Sequence, residues 1–352
     1  MSLGRAQEKG VEVDKDALHF ELRQNNEPED TMTIVREMRE QDADTVRAVE
    51  AITFGAWWKQ LKGESVELPQ RTQTIVRANR EKDPGGCFVA EEEGRVVGFI
   101  FSRTWGSVGW FGTFSVLPEY QGRGIGKRLI AASVDYMRRA PQFGRVIGLE
   151  TMPDSPYNLG LYLRLGFQAR FLTFLLSKTL ERSAAEDVTL PHWSAADAET
   201  QERWLADLRQ ATSQIQPGLD YSKEILSTAQ HNLGETLVLT DSATAIGSST
   251  VWLESVREGP GDESATVQVL TLHPVHTNSE SFHALIAASE ALARDAGKQR
   301  LAVPVNASHT WALDQLLHWG YRIERALVRM MLQGTDEGPS VNGHVNCSRW
   351  AG

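Results

Sequence analysis

Val116-Leu117-Pro118-Glu119-Tyr120-Gln121-Gly122-Arg123-Gly124-Ile125-Gly126-Lys127-Arg128 sets three glycines and three cations between an apolar run and a helical period. The run before it, Val108–Leu117, reads as a strand ended by Pro118. The residues after it, Gly124–Met137, repeat apolar side chains at Ile125, Leu129, Ile130, Val134 and Met137, a helical period. Glycines let a backbone approach a ligand closely. Successive N–H groups at a helix N-terminus point at an anion, and the helix dipole favours it. With Arg123, Lys127 and Arg128 on the same turn, the segment suits a pyrophosphate. A nucleoside-triphosphate loop would need Gly-Lys-Ser or Gly-Lys-Thr after a longer gap, and a dinucleotide fingerprint would need Gly-x-Gly-x-x-Gly. Neither spacing is present; the bland alternative is a tight turn into a helix.

Working outward, Thr33–Met38 is expected to be a first strand, with Asp42 capping a helix through Val46, Val49 and Ile52. Phe54–Arg80 shows no clear period. Cys87–Ala90 and Val96–Ser102 flank the turn Glu92-Glu93-Gly94 as a hairpin. Val146–Met152 reads as a strand. Ser155 is expected to cap a helix that has Pro156 at its first position and stops at Gly166, with Phe171–Leu176 a closing strand.

The pattern then returns. Leu237–Thr240 and Ala245–Leu253 resemble the hairpin, and Ala265–Leu272 ends at Pro274 as the earlier strand ends at Pro118. Leu-Ile-Ala-Ala-Ser occurs at Leu129–Ser133 and again at Leu285–Ser289, and the two strings coincide when Pro118 is laid on Pro274. Trp319-Gly320-Tyr321 echoes Leu165-Gly166-Phe167. These matches in one order mark an internal duplication. In the second copy Gln121 becomes Thr277, Gly124 becomes Glu280, Gly126 becomes Phe282 and Tyr162 becomes Leu316. A carboxylate and a bulky ring there would exclude a phosphate.

Gln-x-x-Gly-x-Gly after Val-x-Pro resembles the coenzyme A loop of the Gcn5-related N-acetyltransferase (GNAT) superfamily. Leu161-Tyr162-Leu163-Arg164-Leu165-Gly166-Phe167 is similar to a second mark of that family. The resemblance implies an α/β fold with a strongly curved mixed sheet and helices on both faces, present here as two tandem domains. It divides the chain into an extension (1–31), a coenzyme-binding domain (32–181), a linker (182–187), a degenerate second domain (188–334) and a tail (335–352). It implies acetyl-CoA as co-substrate, with the pantetheine arm held near Ser115, Val116 and Leu117 in a gap beside the splayed strand Val108–Leu117. The loop contacts fall on Gln121, Gly122, Arg123, Gly124, Ile125, Gly126 and Lys127. Tyr162 would stand beside the coenzyme sulfur, where a phenol that stays protonated can donate to a leaving thiolate; the alternative is an aromatic core filler. Ser155 stands where the family often has an Asn that contacts pantetheine, and Asn158 could take over that contact. Glu150 is the candidate base for the amine, against a plain salt-bridged Glu. Trp57 and Trp58 lie where the family builds its acceptor wall, against simple core packing.

The bulk numbers fit this reading. The chain has 352 residues, 41% hydrophobic and 23% charged, which suggests two domains of a globular protein. A net charge of −10 argues against a nucleic-acid partner. No apolar run approaches a membrane span, Met1–Gly10 lacks the apolar core of a signal peptide, and a cytoplasmic location is expected. Two cysteines far apart, and His273, His276 and His283 without a zinc pattern, give no metal site. The expected activity is acetyl transfer to a primary amine of a small molecule or peptide, by a monomer or homodimer. Transfer of another acyl group, or to a thiol or hydroxyl, and a non-catalytic acyl-CoA sensor stay open.

Overall fold

The computed structural model describes residues 33–63, 67–139, 146–181, 188–259, 263–335, 337 and 344–348. The expected extension and linker lie outside them. The first half holds β1 (Ile34–Glu37), α1 (Ala43–Lys62), α2 (Gln73–Lys82), β2 (Cys87–Glu92), β3 (Arg95–Trp105), β4 (Val108–Val116), α3 (Ile125–Arg139), β5 (Val146–Thr151), α4 (Pro156–Arg164) and β6 (Phe167–Thr179). The second repeats the order as α5 (Ala198–Ile215), α6 (Ser222–Gln230), β7 (Gly234–Asp241), β8 (Thr244–Trp252), β9 (Ser264–Leu272), α7 (Ser279–Asp295), β10 (Arg300–Asn306), α8 (Thr310–His318) and β11 (Arg322–Leu332). A short β12 (Val345–Ser348) follows.

Most expected elements are present, with two differences. Phe54–Arg80 is helical through Lys62 and again from Gln73, where Thr72 caps α2 by accepting from the Ile75 N–H. Asp42 does not cap α1; its carboxylate accepts from the Arg39 N–H and from Arg36. The helix through Val46, Val49 and Ile52 is present but runs on to Lys62, and α2 escaped the reading because its exposed positions, Gln73, Arg77 and Glu81, are all polar and its buried face includes Asn79.

Among the described residues all strands join one mixed sheet in the order β1-β2-β3-β4-β5-β11-β6-β10-β9-β8-β7, with β12 beside β9. The pairs β4/β5 and β9/β10 are parallel, and the other neighbours are antiparallel. Exchanging β2–β6 for β7–β11 reverses the order onto itself, so the duplication is written into the sheet as a pseudo-two-fold. Its centre is an exchange: β11 of the second half pairs with β5, and β6 of the first half pairs with β10.

Matching contacts recur in both copies. Ser133, last residue of the repeated string, hydrogen-bonds Ser102 at 2.7 Å, and Ser289 hydrogen-bonds Ser249 at 2.8 Å. Gly98 lies against the Ser115 carbonyl and Leu129 as Gly247 lies against the Thr271 carbonyl and Leu285.

One core wraps α1, α3 and α4 around β2–β5 with Phe99, Phe111, Leu129 and Phe167; a second does the same around β9 and β10 with Leu270, Phe282, Leu285 and Leu316. A third cluster joins them, packing Trp105, Val108, Trp110 and Val146 on Leu219, Tyr221 and Val269. At about 1.5–3 kcal/mol for each fully buried large apolar side chain, this cluster binds the halves firmly. Gly148 makes its packing possible, since an added Cβ would sit 2.1 Å from the Trp110 ring. Gly148→Ala is therefore expected to destabilise the chain by about 1–3 kcal/mol through overpacking, read as a lower midpoint in urea unfolding.

Candidate active site

β4 and β5 are paired only from Val108 opposite Val146 to Phe111 opposite Leu149. Beyond that point they part, and the β4 edge from Gly112 to Val116 faces the gap. Ser115 Oγ is buried there and has no hydrogen-bond partner among the described residues. Thr113 is bolted from behind. Arg71 Nη2 donates to its hydroxyl at 2.9 Å and, through Nε and Nη2, to Glu50 at 2.8 and 3.0 Å. Glu50 also accepts from Arg257 of the second half at 2.8 Å. Burial alone would raise the Glu50 pKa, but Arg71 and Arg257 hold it below the usual carboxylate range, so the bolt stays charged. The three residues of this bolt come from distant segments, and no local pattern in the sequence announces them.

The glycine loop follows. Gln121 sends its Nε2 back to the Val116 carbonyl at 2.9 Å, tying the loop to the strand end. Gly122 and Gly124 adopt φ of +82° and +76°, the left-handed region that favours glycine. From Gly122 to Lys127 no backbone N–H donates a hydrogen bond to any described residue. Backbone amides at a helix start that lack a partner among the described residues can bind an anion. Ile125 is buried and anchors the helix start by its side chain. Gly126 lets α3 approach β4, since an added Cβ would lie 3.0 Å from the Phe114 ring. Arg123 is half-exposed, stacks 5.0 Å over Tyr120 and reaches Glu92 at 3.2 Å, while Lys127 is exposed.

The corresponding turn of the second half is closed. Asn278 caps α7 by accepting from the Ser281 N–H at 2.8 Å, Glu280 lies in the first turn, and Phe282 is buried between Trp311 and Trp319.

Tyr162 on α4 is 6% exposed and packs on Phe111 and Phe167 with ring centroids 6.0 and 6.3 Å apart. Phe111 is the last paired residue before the gap, so the Tyr162 ring packs on the strand where β4 and β5 part. Its hydroxyl has no hydrogen-bond partner among the described residues, and burial pushes its pKa up. Ser155 caps α4 by accepting from the Asn158 N–H at 3.4 Å, and Asn158 is half-buried one turn on.

Glu150 faces the other way. Along β5, Ile147 and Leu149 join the core that holds Phe111 and Tyr162, and strand alternation turns Gly148 and Glu150 to the opposite face. There Glu150 Oε1 accepts from Thr173 at 2.5 Å and from Arg329 at 2.7 Å, while Oε2 is buried without a partner among the described residues. Arg329, from β11, lies over the Trp110 ring at 4.5 Å and also holds Glu337. Trp57 and Trp58 are half-buried at the far end of α1, edge to face with centroids 5.1 Å apart. Among the described residues no group of three or more side chains could hold a metal ion, and no helix is long and apolar enough to cross a membrane.

Residues 53–167 match the acetyltransferase (GNAT) family. A 56-residue stretch, 16% of the chain, is 45% identical to the N-alpha-acetyltransferase RimI of Mycobacterium tuberculosis and spans 32% of that relative's length. The fold is similar to a putative acetyltransferase of Pyrococcus horikoshii (TM-score 0.65, 14% identity, 95% of this chain and 99% of that one). It is also similar to a tandem GNAT protein from the clavulanic acid biosynthesis pathway (TM-score 0.52, 13% identity, 88% of this chain and 100% of that one). Residues 53–167 thus carry a GNAT acetyltransferase domain, and the splayed parallel strands and the repeat of the whole unit give the chain a fold similar to that of a tandem GNAT protein.

Proposed function

We propose that residues 32–181 transfer an acetyl group from acetyl-CoA to a primary amine, and that residues 188–334 form a degenerate domain that binds no coenzyme A. The row of free amides from Gly122 to Lys127 carries this reading. Together with Arg123 and Lys127 it would take the pyrophosphate, and Ser115, Val116 and Leu117, beside the unpaired edge of β4, would take the pantetheine amides. The orphaned Ser115 hydroxyl fits a ligand in that gap. Ser155 and Asn158 flank its other side.

The coenzyme supplies an acyl group activated as a thioester; the remaining work falls to this chain. A backbone N–H of the splayed strand polarises the carbonyl, as an oxyanion-hole donor does. Tyr162 keeps its proton at neutral pH and hands it to the departing sulfur. On the opposite face Glu150, with Oε2 left unpaired among the described residues, is the candidate base for the proton of an incoming ammonium. Donor and acceptor thus meet across the split from opposite faces of the sheet, and Trp57 and Trp58 suit an acceptor with a flat or apolar part.

The test incubates the protein and acetyl-CoA with amines, polyamines, aminoglycosides, amino acids and peptides and reads free thiol. Thiol release that depends on one amine class is expected. Coenzyme binding without release from any acceptor would favour the sensor reading. Gly124→Glu, which imports the residue of the second copy, is expected to weaken acetyl-CoA binding by about 10–1000-fold. A charge about 4 Å from the diphosphate costs about 1–4 kcal/mol, and φ of +76° adds strain for a residue with a Cβ. Calorimetric titration of the variant would measure it.

A further inference from the structure

The parallel strands of the second half part as those of the first do. β9 and β10 are paired only at Ser264–Thr266 with Arg300–Ala302. In the first half the edge beyond the split is unpaired among the described residues; here it is taken. β12 runs antiparallel to β9, with Val345 opposite Leu272 and Ser348 opposite Val269. Gly98 pairs with Val116 and Gly247 with Leu272, so Val269–Leu272 correspond to Thr113–Val116. β12 therefore occupies the register that a pantetheine arm would use in the first half.

The segment is fitted on both faces. Val345 and Cys347 are fully buried in the core with Phe282 and Leu285. Asn346 turns the other way and accepts a hydrogen bond from the buried Tyr221 hydroxyl at 2.9 Å. His309 precedes α8 as Ser155 precedes α4, without a capping bond of its own side chain, and faces the His344 backbone. Alternate apolar anchors and a main-chain ladder are the features of strand addition.

We propose that the split of the second half is a strand-binding groove, and that the C-terminal segment of this chain is its resident ligand, filling the gap between β9 and β10 where the first half would hold a coenzyme arm. The groove itself stands whether or not the first half binds acetyl-CoA, since only the comparison with pantetheine rests on that reading.

A chain truncated after Gly338 keeps Glu337 and loses the occupant. Its Tm is expected to fall by about 5–10 °C, and a peptide of residues 342–352 added in trans should restore most of it. The same peptide carrying Val345→Asp and Cys347→Asp should restore none. In the full chain, amides of β12 should exchange with deuterium as slowly as those of Val269–Leu272; this readout decides the matter where the truncated chain does not fold. A truncated chain that melts with the intact one, a peptide without effect on a folded truncated chain, or β12 amides that exchange within seconds would overturn the proposal.

Discussion

Tyr162→Phe is expected to lower kcat by about 10²–10⁴-fold, the usual weight of a positioned general acid, with little change in the Kd for acetyl-CoA. The ring contacts with Phe111 and Phe167 survive the substitution, and the hydroxyl has no partner among the described residues whose loss would disturb the fold. What disappears is the one hydroxyl proposed as the proton donor. Since burial pushes the phenol pKa above its ordinary value of about 10, the group stays protonated through the neutral and mildly alkaline range. Tyr162 should therefore impose no alkaline limb on the wild-type rate profile below about pH 10. Steady-state thiol release beside coenzyme titration separates the two parameters. Unchanged turnover would remove Tyr162 from the chemistry and leave it a packing residue.

Arg329→Ala should be the most damaging single substitution for stability. Arg329 is 1% exposed and neutralises two carboxylates at once, Glu150 on β5 and Glu337 beyond β11. Burial alone would lower its pKa, yet Glu337 and Glu150 raise it, so the guanidinium stays charged. Truncation strands two anions in a site that excludes water, a loss of about 3–5 kcal/mol and a Tm fall on the order of 10 °C. Adding Glu337→Gln should recover part of the loss, because one uncompensated charge is then gone. A double variant no more stable than the single one in urea titrations would show that the damage comes from lost stacking on Trp110 instead.

What the sequence disclosed follows from distance along the chain. The glycine loop was legible because the conformation of Gly122 and Gly124, the charge of Arg123 and Lys127 and the helix start at Ile125 all lie within one turn. The duplication was legible for the same reason: Ser133 and Ser289 keep the same string because each meets a serine on its neighbouring strand. The Glu50–Arg71–Thr113 bolt and the pairing of Glu150 with Arg329 were not legible, since each joins segments that only the sheet brings together. The exchange of β6 and β11 left no mark either. A strand buried in a neighbour's sheet shows the same apolar alternation as one buried in its own. β12 was too short and too polar to register, with Val345 and Cys347 as its sole apolar residues.

That exchange has a consequence for how the molecule can be taken apart. A fragment ending at Thr179 would carry a strand with no home and leave the flank of β5 bare, where Met330 and Arg329 now sit. Bare strand flanks invite pairing with another molecule, so two such fragments would be expected to swap β6 into a twinned dimer. The covalent chain thus reads as the fused form of an interlocked pair, each half completing the other's sheet.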